Sequence, residues 1–395
     1  MIETKLKLWQ KGIPLAELKE MVKRFEPYNA KLYGGTTRVN QLKLADWMDK
    51  GEVVCGERYV FRSRVLKTLS PGFLYRGARP QVPTHHKLKG DRILDHLALA
   101  EDAWPMVGRL IASLPEACWL ELIARDRTSA ECAQALGFKR VAVSVASEGD
   151  IFHIWFRPAV GSVGLFPQPP RVHPPADVEY VNVKKLPFRG FTQLIGAIDK
   201  KLDSLPAFKQ HDGTKYNKDN NSWSAISLRG FSLDPLKMLD PAEMPPNFMA
   251  SDRGDGYTLD VHNTPIWKQF PEVEALLRKL VPGWSDRTNP FFRVRFMALR
   301  DGEGELRRHT DLTDPSLGFG KGKRARLHFP IRTNPKVEFT SWNVEDEPTC
   351  VNMREGECWY LNIRLPHRAI NAGDRRRVHL VVDVLSDCVR QLIEN

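Results

Sequence analysis

Several features are missing from this chain of 395 residues, and each absence narrows its class. Its six cysteines, at 55, 118, 132, 350, 358 and 388, form no Cys-x-x-Cys pair. That argues against a thiolate zinc site and against a disulfide scaffold, and fits reduced, mostly structural thiols in a cytoplasmic protein. No run of 18 apolar residues occurs, so no transmembrane helix is expected. Met1-Ile-Glu-Thr-Lys5 lacks the apolar core of a signal peptide. No internal repeat or low-complexity tract is visible.

Negative charge is in deficit. Lys and Arg number 59 against 48 Asp and Glu, a net charge of +11 with a pI near 9.3. Such a balance points to an acidic partner or a nucleic acid. The plainer account is a solvated basic surface plus a few arginines committed to an anionic ligand. The length suits two or three domains.

In the N-terminal part, Leu15, Leu18, Met21, Val22 and Phe25 share one helical face. Val53 to Leu66 holds short strand-like runs. His85-His86 reads as a solvated loop, because adjacent side chains point apart on a strand or a helix. Glu101 to Leu114 reads as an amphipathic helix and Cys118 to Ala124 as a buried strand. Thr128 or Ser129 is expected to cap a helix that ends at Gly137. Strands are expected over 140–145 and 151–156. This order, with Leu136-Gly-Phe138 between helix and strands, resembles the C-terminal half of the GNAT acyltransferase fold over about 50 residues. The pyrophosphate loop of that family is missing, and Arg76-Gly-Ala-Arg-Pro80 does not replace it.

The tract Arg157 to Pro175 carries six prolines and reads as an extended connector. The expected organisation is an α/β domain over 1–158, a linker over 159–177 and a second domain over 178–395. Helices are expected over 191–202 and 270–280, and Lys215 to Trp223 as a polar loop.

The chemistry concentrates between Phe291 and Asp383. Period-2 runs occur over 291–299, 324–331, 336–342, 357–363 and 377–385, which suits a sandwich or a double-sheet jelly roll. His309 and Asp311 stand two apart, so an extended backbone aims imidazole and carboxylate to one side. His367 can supply a third ligand. Two histidines and a carboxylate with open positions opposite suit a non-haem Fe(II) site. A His-x-Asp pair alone is common, and His328 and His379 alone read as packed strand histidines. The ordered set carries more than its parts.

That set is His309, Arg324-Ala-Arg326-Leu-His328, Gly356-Glu-Cys-Trp359, His367 and Arg377. It resembles the aspartyl/asparaginyl β-hydroxylase family of 2-oxoglutarate-dependent dioxygenases, strongly over the last third of the chain and weakly from Val178. The resemblance implies a double-stranded β-helix with flanking helices, so the whole chain is expected to be α+β and multidomain. It implies Fe(II) held by His309, Asp311 and His367, with O2 and 2-oxoglutarate as cosubstrates. Arg377 is the candidate for the far carboxylate of 2-oxoglutarate, since guanidinium binds carboxylate bidentately. Arg326 and His328 are implied at the keto-acid end or its surroundings. Asparaginyl-type members can lack the carboxylate ligand, whereas Asp311 is present here, which weakens any transfer of their substrate.

The expected activity is hydroxylation of an amino acid, a protein side chain or a nucleobase. The alternatives are a nucleic-acid-associated protein with a GNAT-like recognition module, and a bifunctional acyltransferase-hydroxylase.

Overall fold

A computed structural model describes residues 103–145, 149–160, 181–210 and 222–395, apart from 245–246, 253, 312–315 and 320. Of the earlier part it describes 53–56, 59–65, 92–99 and positions 16, 20, 47 and 50. The expected helix over 14–25 (apart from Ala16 and Glu20), Arg76–Pro80, His85-His86, most of the proline-rich tract and the loop 215–221 lie outside the described residues. The chain divides into two units, 1–146 with 150–171 and 344–346, and 172–343 with 147–149 and 347–395.

The first unit holds β1 (Val53–Gly56), β2 (Tyr59–Val65), β3 (Arg92–Leu99), α1 (Trp104–Ala112), β4 (Cys118–Ile123), α2 (Arg127–Ala135), β5 (Lys139–Val145) and β6 (Ile151–Arg157). Its sheet runs β1-β2-β3-β4-β6-β5. Only the β3–β4 pairing is parallel. Every residue of β4, Glu121 included, is buried, as a central strand covered on both faces requires. The cap of α2 differs from expectation. Asp126 accepts from the Ser129 backbone N–H at 3.0 Å, so the cap sits two to three residues before the hydroxyl candidates. Gly137 has φ +81°, the left-handed backbone that ends the helix. Buried Arg157 donates to the carbonyls of Ile111 and Leu114 at 3.0 and 2.8 Å, closing the C-terminal end of α1.

The second unit continues with β7 (Val183–Lys185), α3 (Thr192–Leu202), β8 (Lys209–Gln210), β9 (Trp223–Gly230), β10 (His262–Asn263), α4 (Pro271–Leu280), β11 (Phe291–Leu299) and β12 (Gly304–His309). It ends with β13 (Arg324–Arg332), β14 (Val337–Trp342), β15 (Pro348–Val351), β16 (Trp359–Leu361), β17 (His367–Asn371), β18 (Arg377–Leu385) and α5 (Ser386–Glu394). A large antiparallel sheet runs β10-β9-β11-β18-β13-β16-β7, with β8 beside β9. A smaller one runs β12-β17-β14-β15. Two antiparallel sheets with flanking helices make this unit jelly-roll-like.

Alternation along the strands explains the layout. Val378, Leu380, Val382 and Val384 of β18 are 0–1% exposed and join one core with residues of α3, α4 and α5. Ala325, Leu327, Phe329 and Ile331 of β13 join the same core, as do Val294, Phe296 and Ala298 of β11. Each such full burial of a large aliphatic or aromatic side chain contributes roughly 1.5–3 kcal/mol. The alternate residues therefore face the other way: Arg293, Arg295, Arg326, His328, Arg377, His379 and Asp383. A second apolar cluster, including Trp223, Leu299, Phe339, Leu361 and Ala369, packs on this opposite side. Gly356, at φ +80°, makes the turn that leads into β16. Among the described residues no helix is long and apolar enough to cross a membrane.

Candidate active site

β12 and β17 are antiparallel neighbours, and their register sets His309 directly opposite His367. The two rings lie 4.4 Å apart, centroid to centroid. Asp311 follows β12 by two residues, and its backbone N–H donates to the Ile363 carbonyl at 2.9 Å. One donor atom from each of His309, Asp311 and His367 falls within 4.8 Å of the others. His309 Nε2 and Asp311 Oδ1 are 3.5 Å apart.

The tautomers suit metal ligation. His309 Nδ1 lies 2.7 Å from the Arg307 carbonyl, and His367 Nδ1 lies 3.0 Å from that of Leu365. Each Nδ1–H donates to the carbonyl two residues before it, so each Nε2 keeps a lone pair for a metal. Phe339 stacks on His367 and fixes its plane. Burial, with the neighbouring His309 second, lowers the His367 pKa to about 4, keeping the ring neutral. Burial would raise the Asp311 carboxyl, but its contact with His309 and the charge of Arg326 hold it well below the ordinary carboxylate range. This donor set fits a divalent cation that takes nitrogen and oxygen ligands.

Arg326 does not stand free for a ligand. Its Nη1 donates to Asp311 at 2.7 Å, while Nε and Nη2 meet Asp383 at 2.7 and 3.1 Å. It is a strut between two carboxylates, holding Asp311 toward the histidines. Asp383, fully buried, also takes a hydrogen bond from Arg293 Nε at 2.7 Å and lies 3.5 Å from Arg295 Nη2. Burial opposes its ionisation, yet Arg326, Arg293 and Arg295 together hold it well below the carboxylate range. The signal for this cluster was available in Arg293-Val-Arg295, two arginines on one face of a strand whose other face is apolar.

Arg377 is 4% exposed and, among the described residues, has no carboxylate partner. Its Nη2 donates to His379 Nδ1 at 2.8 Å, and its Nε has no hydrogen-bond partner. Burial lowers its pKa to about 9. Because Arg377 only donates, His379 Nδ1 carries the lone pair. His328 Nδ1, 3.3 Å from that same atom, must then be a donor, which leaves His328 Nε2 as an acceptor. Burial, followed by the charge of Arg377, holds both rings well below the usual histidine range, so both are neutral. A buried guanidinium with spare donors and no anion fits the carboxylate end of a small acid. A cavity of about 320 Å³ is lined by His309, Asp311, His367, Arg326, His328 and Arg377 together with Arg293 and Arg295.

Jelly-roll sheets with two histidines and a carboxylate gathered at one cavity define the class of non-haem metal oxygenases. Residues 197–387 match the family described as Aspartyl/Asparaginyl beta-hydroxylase, in keeping with the resemblance carried by His309, Arg326, His328, His367 and Arg377. The chain is therefore a 2-oxoglutarate-dependent hydroxylase that uses Fe(II). No curated protein matches the chain. Among solved structures, an oxidoreductase of the 2OG-Fe(II) oxygenase family from Burkholderia pseudomallei is 12% identical, over 53% of this chain and 89% of that one, with a TM-score of 0.34. A prolyl-4-hydroxylase from Pseudomonas putida is 11% identical, over 53% and 95%, with a TM-score of 0.29. A GNAT-family acetyltransferase from Streptococcus agalactiae is 10% identical, over 38% and 93%, with a TM-score of 0.29.

Proposed function

We propose that His309, Asp311 and His367 hold Fe(II), that Arg377 receives the far carboxylate of 2-oxoglutarate, and that the chain hydroxylates an amino acid, a protein side chain or a nucleobase. The observation that carries this reading is the convergence of three ligand atoms within 4.8 Å beside a buried guanidinium that lacks an anion. When bound, Fe(II) and 2-oxoglutarate supply O2 activation and C–H oxidation, with succinate and CO2 as coproducts. The chain's own task is orientation and exclusion of water. Arg326 holds Asp311 in place, His379 holds Arg377, and His328 presents an acceptor beside them. The cavity's walls are largely apolar, with Trp223, Leu299, Phe339, Leu361 and Ile363 among them.

The test is succinate release from 2-oxoglutarate with Fe(II), screened with free amino acids, peptides and nucleic acid. A substrate is expected to raise succinate formation and to gain the mass of one oxygen atom. Fe(II)-independent turnover, or none under any condition, contradicts the reading.

We infer in addition that the first unit is GNAT-like and has a recognition or acyl-transfer role. The supporting observation is the order β4, α2 ended by Gly137, then β5 and β6, beside the single parallel pair β3–β4. Calorimetry with acetyl-CoA checks this: uptake supports acyl transfer, and its absence leaves recognition.

A further inference from the structure

Neither the metal triad nor the seat for 2-oxoglutarate uses Arg295. It is 6% exposed, and it lines the same cavity as the metal ligands. Its Nη1 reaches the Met238 carbonyl at 3.4 Å, a long bond. Its Nε and Nη2 have no hydrogen-bond partner. Among the described residues two carboxylates act on it: Asp383, 3.5 Å from Nη2, already accepts from Arg293 and Arg326, and Glu243 is paired with Arg293. Arg293 has Glu243 as a second carboxylate, and Arg326 has Asp311. Of the three guanidiniums around Asp383, Arg295 is thus the one short of an anion. A buried cation so placed costs free energy unless something completes its pairing.

The head of Arg377 lies on His379, while that of Arg295 lies beside Asp383. These positions are four residues apart on β18, roughly 13 Å along a strand. Arg377 and Arg295 thus offer separate sets of donors along this stretch of β18. Arg295 is also close to the metal ligands, since Arg326 touches both Asp383 and Asp311. Three methionines line the cavity, Met238 whose carbonyl Arg295 reaches, Met244, and Met297 two residues along β11, and make an apolar and deformable wall.

We propose that Arg295 is a second anion seat, for the carboxylate of the substrate to be oxidised, and that this substrate is a small carboxylic acid with an apolar body. The inference rests on the dioxygenase reading and names the substrate class of that same site. Binding through Arg295 places the apolar body along the methionine wall and turns one end toward His309, Asp311 and His367. The cavity volume lies at the lower end of small-molecule sites, which favours a compact acid over an extended chain.

The test uses the full chain, anaerobic, with Mn(II) and 2-oxoglutarate, titrated calorimetrically with hexanoate and with hexanamide. These probes share shape and differ in charge. The wild type is expected to bind hexanoate roughly thirtyfold or more tightly than hexanamide, the discrimination of a buried charge pair. Arg295→Met should lose that preference and still take up 2-oxoglutarate, and Arg295→Lys should keep part of it. Absent or equal binding of hexanoate in the wild type overturns the seat without recourse to any variant. So does an unchanged preference in Arg295→Met, or displacement of 2-oxoglutarate by hexanoate, which assigns the acid to Arg377. A wild type that takes up no 2-oxoglutarate contradicts the dioxygenase reading instead, and hexanoate titrated into the protein alone then decides Arg295 separately.

Discussion

His309 and His367 are cross-strand partners: 58 positions apart in the chain, they face each other directly on β12 and β17. Each donates its Nδ1–H to the carbonyl two residues before it. The sheet register therefore settles the ring spacing, and the local backbone settles the tautomer. The two neighbouring strands set the histidines, and Arg326 holds Asp311 toward them.

Arg377 and its neighbours separate a specific seat from diffuse attraction. Removing one partner of a buried charge pair costs roughly 2–5 kcal/mol. Arg377→Ala is thus expected to weaken 2-oxoglutarate binding by roughly thirtyfold or more. Arg377→Lys should recover part, since a point charge replaces a planar fork. Arg375 is paired with Asp199 and Glu355 at the surface, and Arg376 lies over the Phe208 ring at 4.2 Å. Alanine at either should change affinity little. Anaerobic calorimetry with Mn(II) measures all four variants, and equal losses at the three arginines withdraw the assignment.

Asp383 should matter for stability more than its silence in any ligand contact implies. Asp383→Asn leaves Arg293, Arg295 and Arg326 around a neutral amide. Breaking a buried pair of this kind costs about 3–5 kcal/mol. Urea denaturation of the variant against the parent checks the figure, and a loss within about 0.5 kcal/mol, the range of ordinary surface substitutions, contradicts the cluster's role.

The neutral pair His328 and His379 sets a pH dependence. Their folded pKa values lie well below the ordinary value of about 6.5, so the unfolded chain binds more protons below that pH. Stability rises with pH in that window, and it is lost as pH falls from about 6.5 toward the folded values. His379→Asn keeps an acceptor near Nδ1 and removes one titration. Its stability slope between pH 5 and 6 should be shallower by about 1.4 kcal/mol per pH unit. Parallel slopes in parent and variant, measured by urea denaturation without added metal, would sink the neutral assignment.

A break in the proline-rich tract should release a working second domain. The motif residues all lie beyond 300, and the core of α3, α4, β11, β13 and β18 is drawn from residues after 180. We propose that a fragment of residues 178–395 folds and binds 2-oxoglutarate with Mn(II). Insolubility of the fragment under every condition, or a folded fragment without 2-oxoglutarate uptake, contradicts that division.

Much of this was legible in the residues because a strand's two faces alternate. Val378, Leu380, Val382 and Val384 announce a buried face, and Arg377, His379 and Asp383 then share the other. The long strands were expected nearly to their ends for the same reason. Short edge strands such as β7, β8, β10 and β15 carry too few residues for a period-2 signal. The gathering of His309, Asp311 and His367 followed from spacing and order. The partners of Arg326 did not. A guanidinium that meets Asp383 and Asp311 looks, in sequence, the same as one that awaits a keto acid, because ion pairs across strands depend on register. Arg293 and Arg295 carried a signal, two arginines alternating on a strand with an apolar opposite face, but their partners Asp383 and Glu243 depend on register and could not be read. At α2, hydroxyls at Thr128 and Ser129 drew attention from Asp126, two and three residues earlier, whose carboxylate accepts from the Ser129 backbone N–H.

The most direct measurement is an anaerobic titration of Mn(II), with and without 2-oxoglutarate, into the parent, His309→Ala, His367→Ala and Asp311→Ala. Water-proton relaxation reports the bound metal and its accessibility, independent of turnover. The account predicts one site in the parent, loss of metal binding in each histidine variant with the circular dichroism spectrum retained, and weakened binding in Asp311→Ala. It also predicts that 2-oxoglutarate lowers the water access of the bound metal. Mn(II) held by the two histidine variants as tightly as by the parent would contradict the assignment of His309, Asp311 and His367.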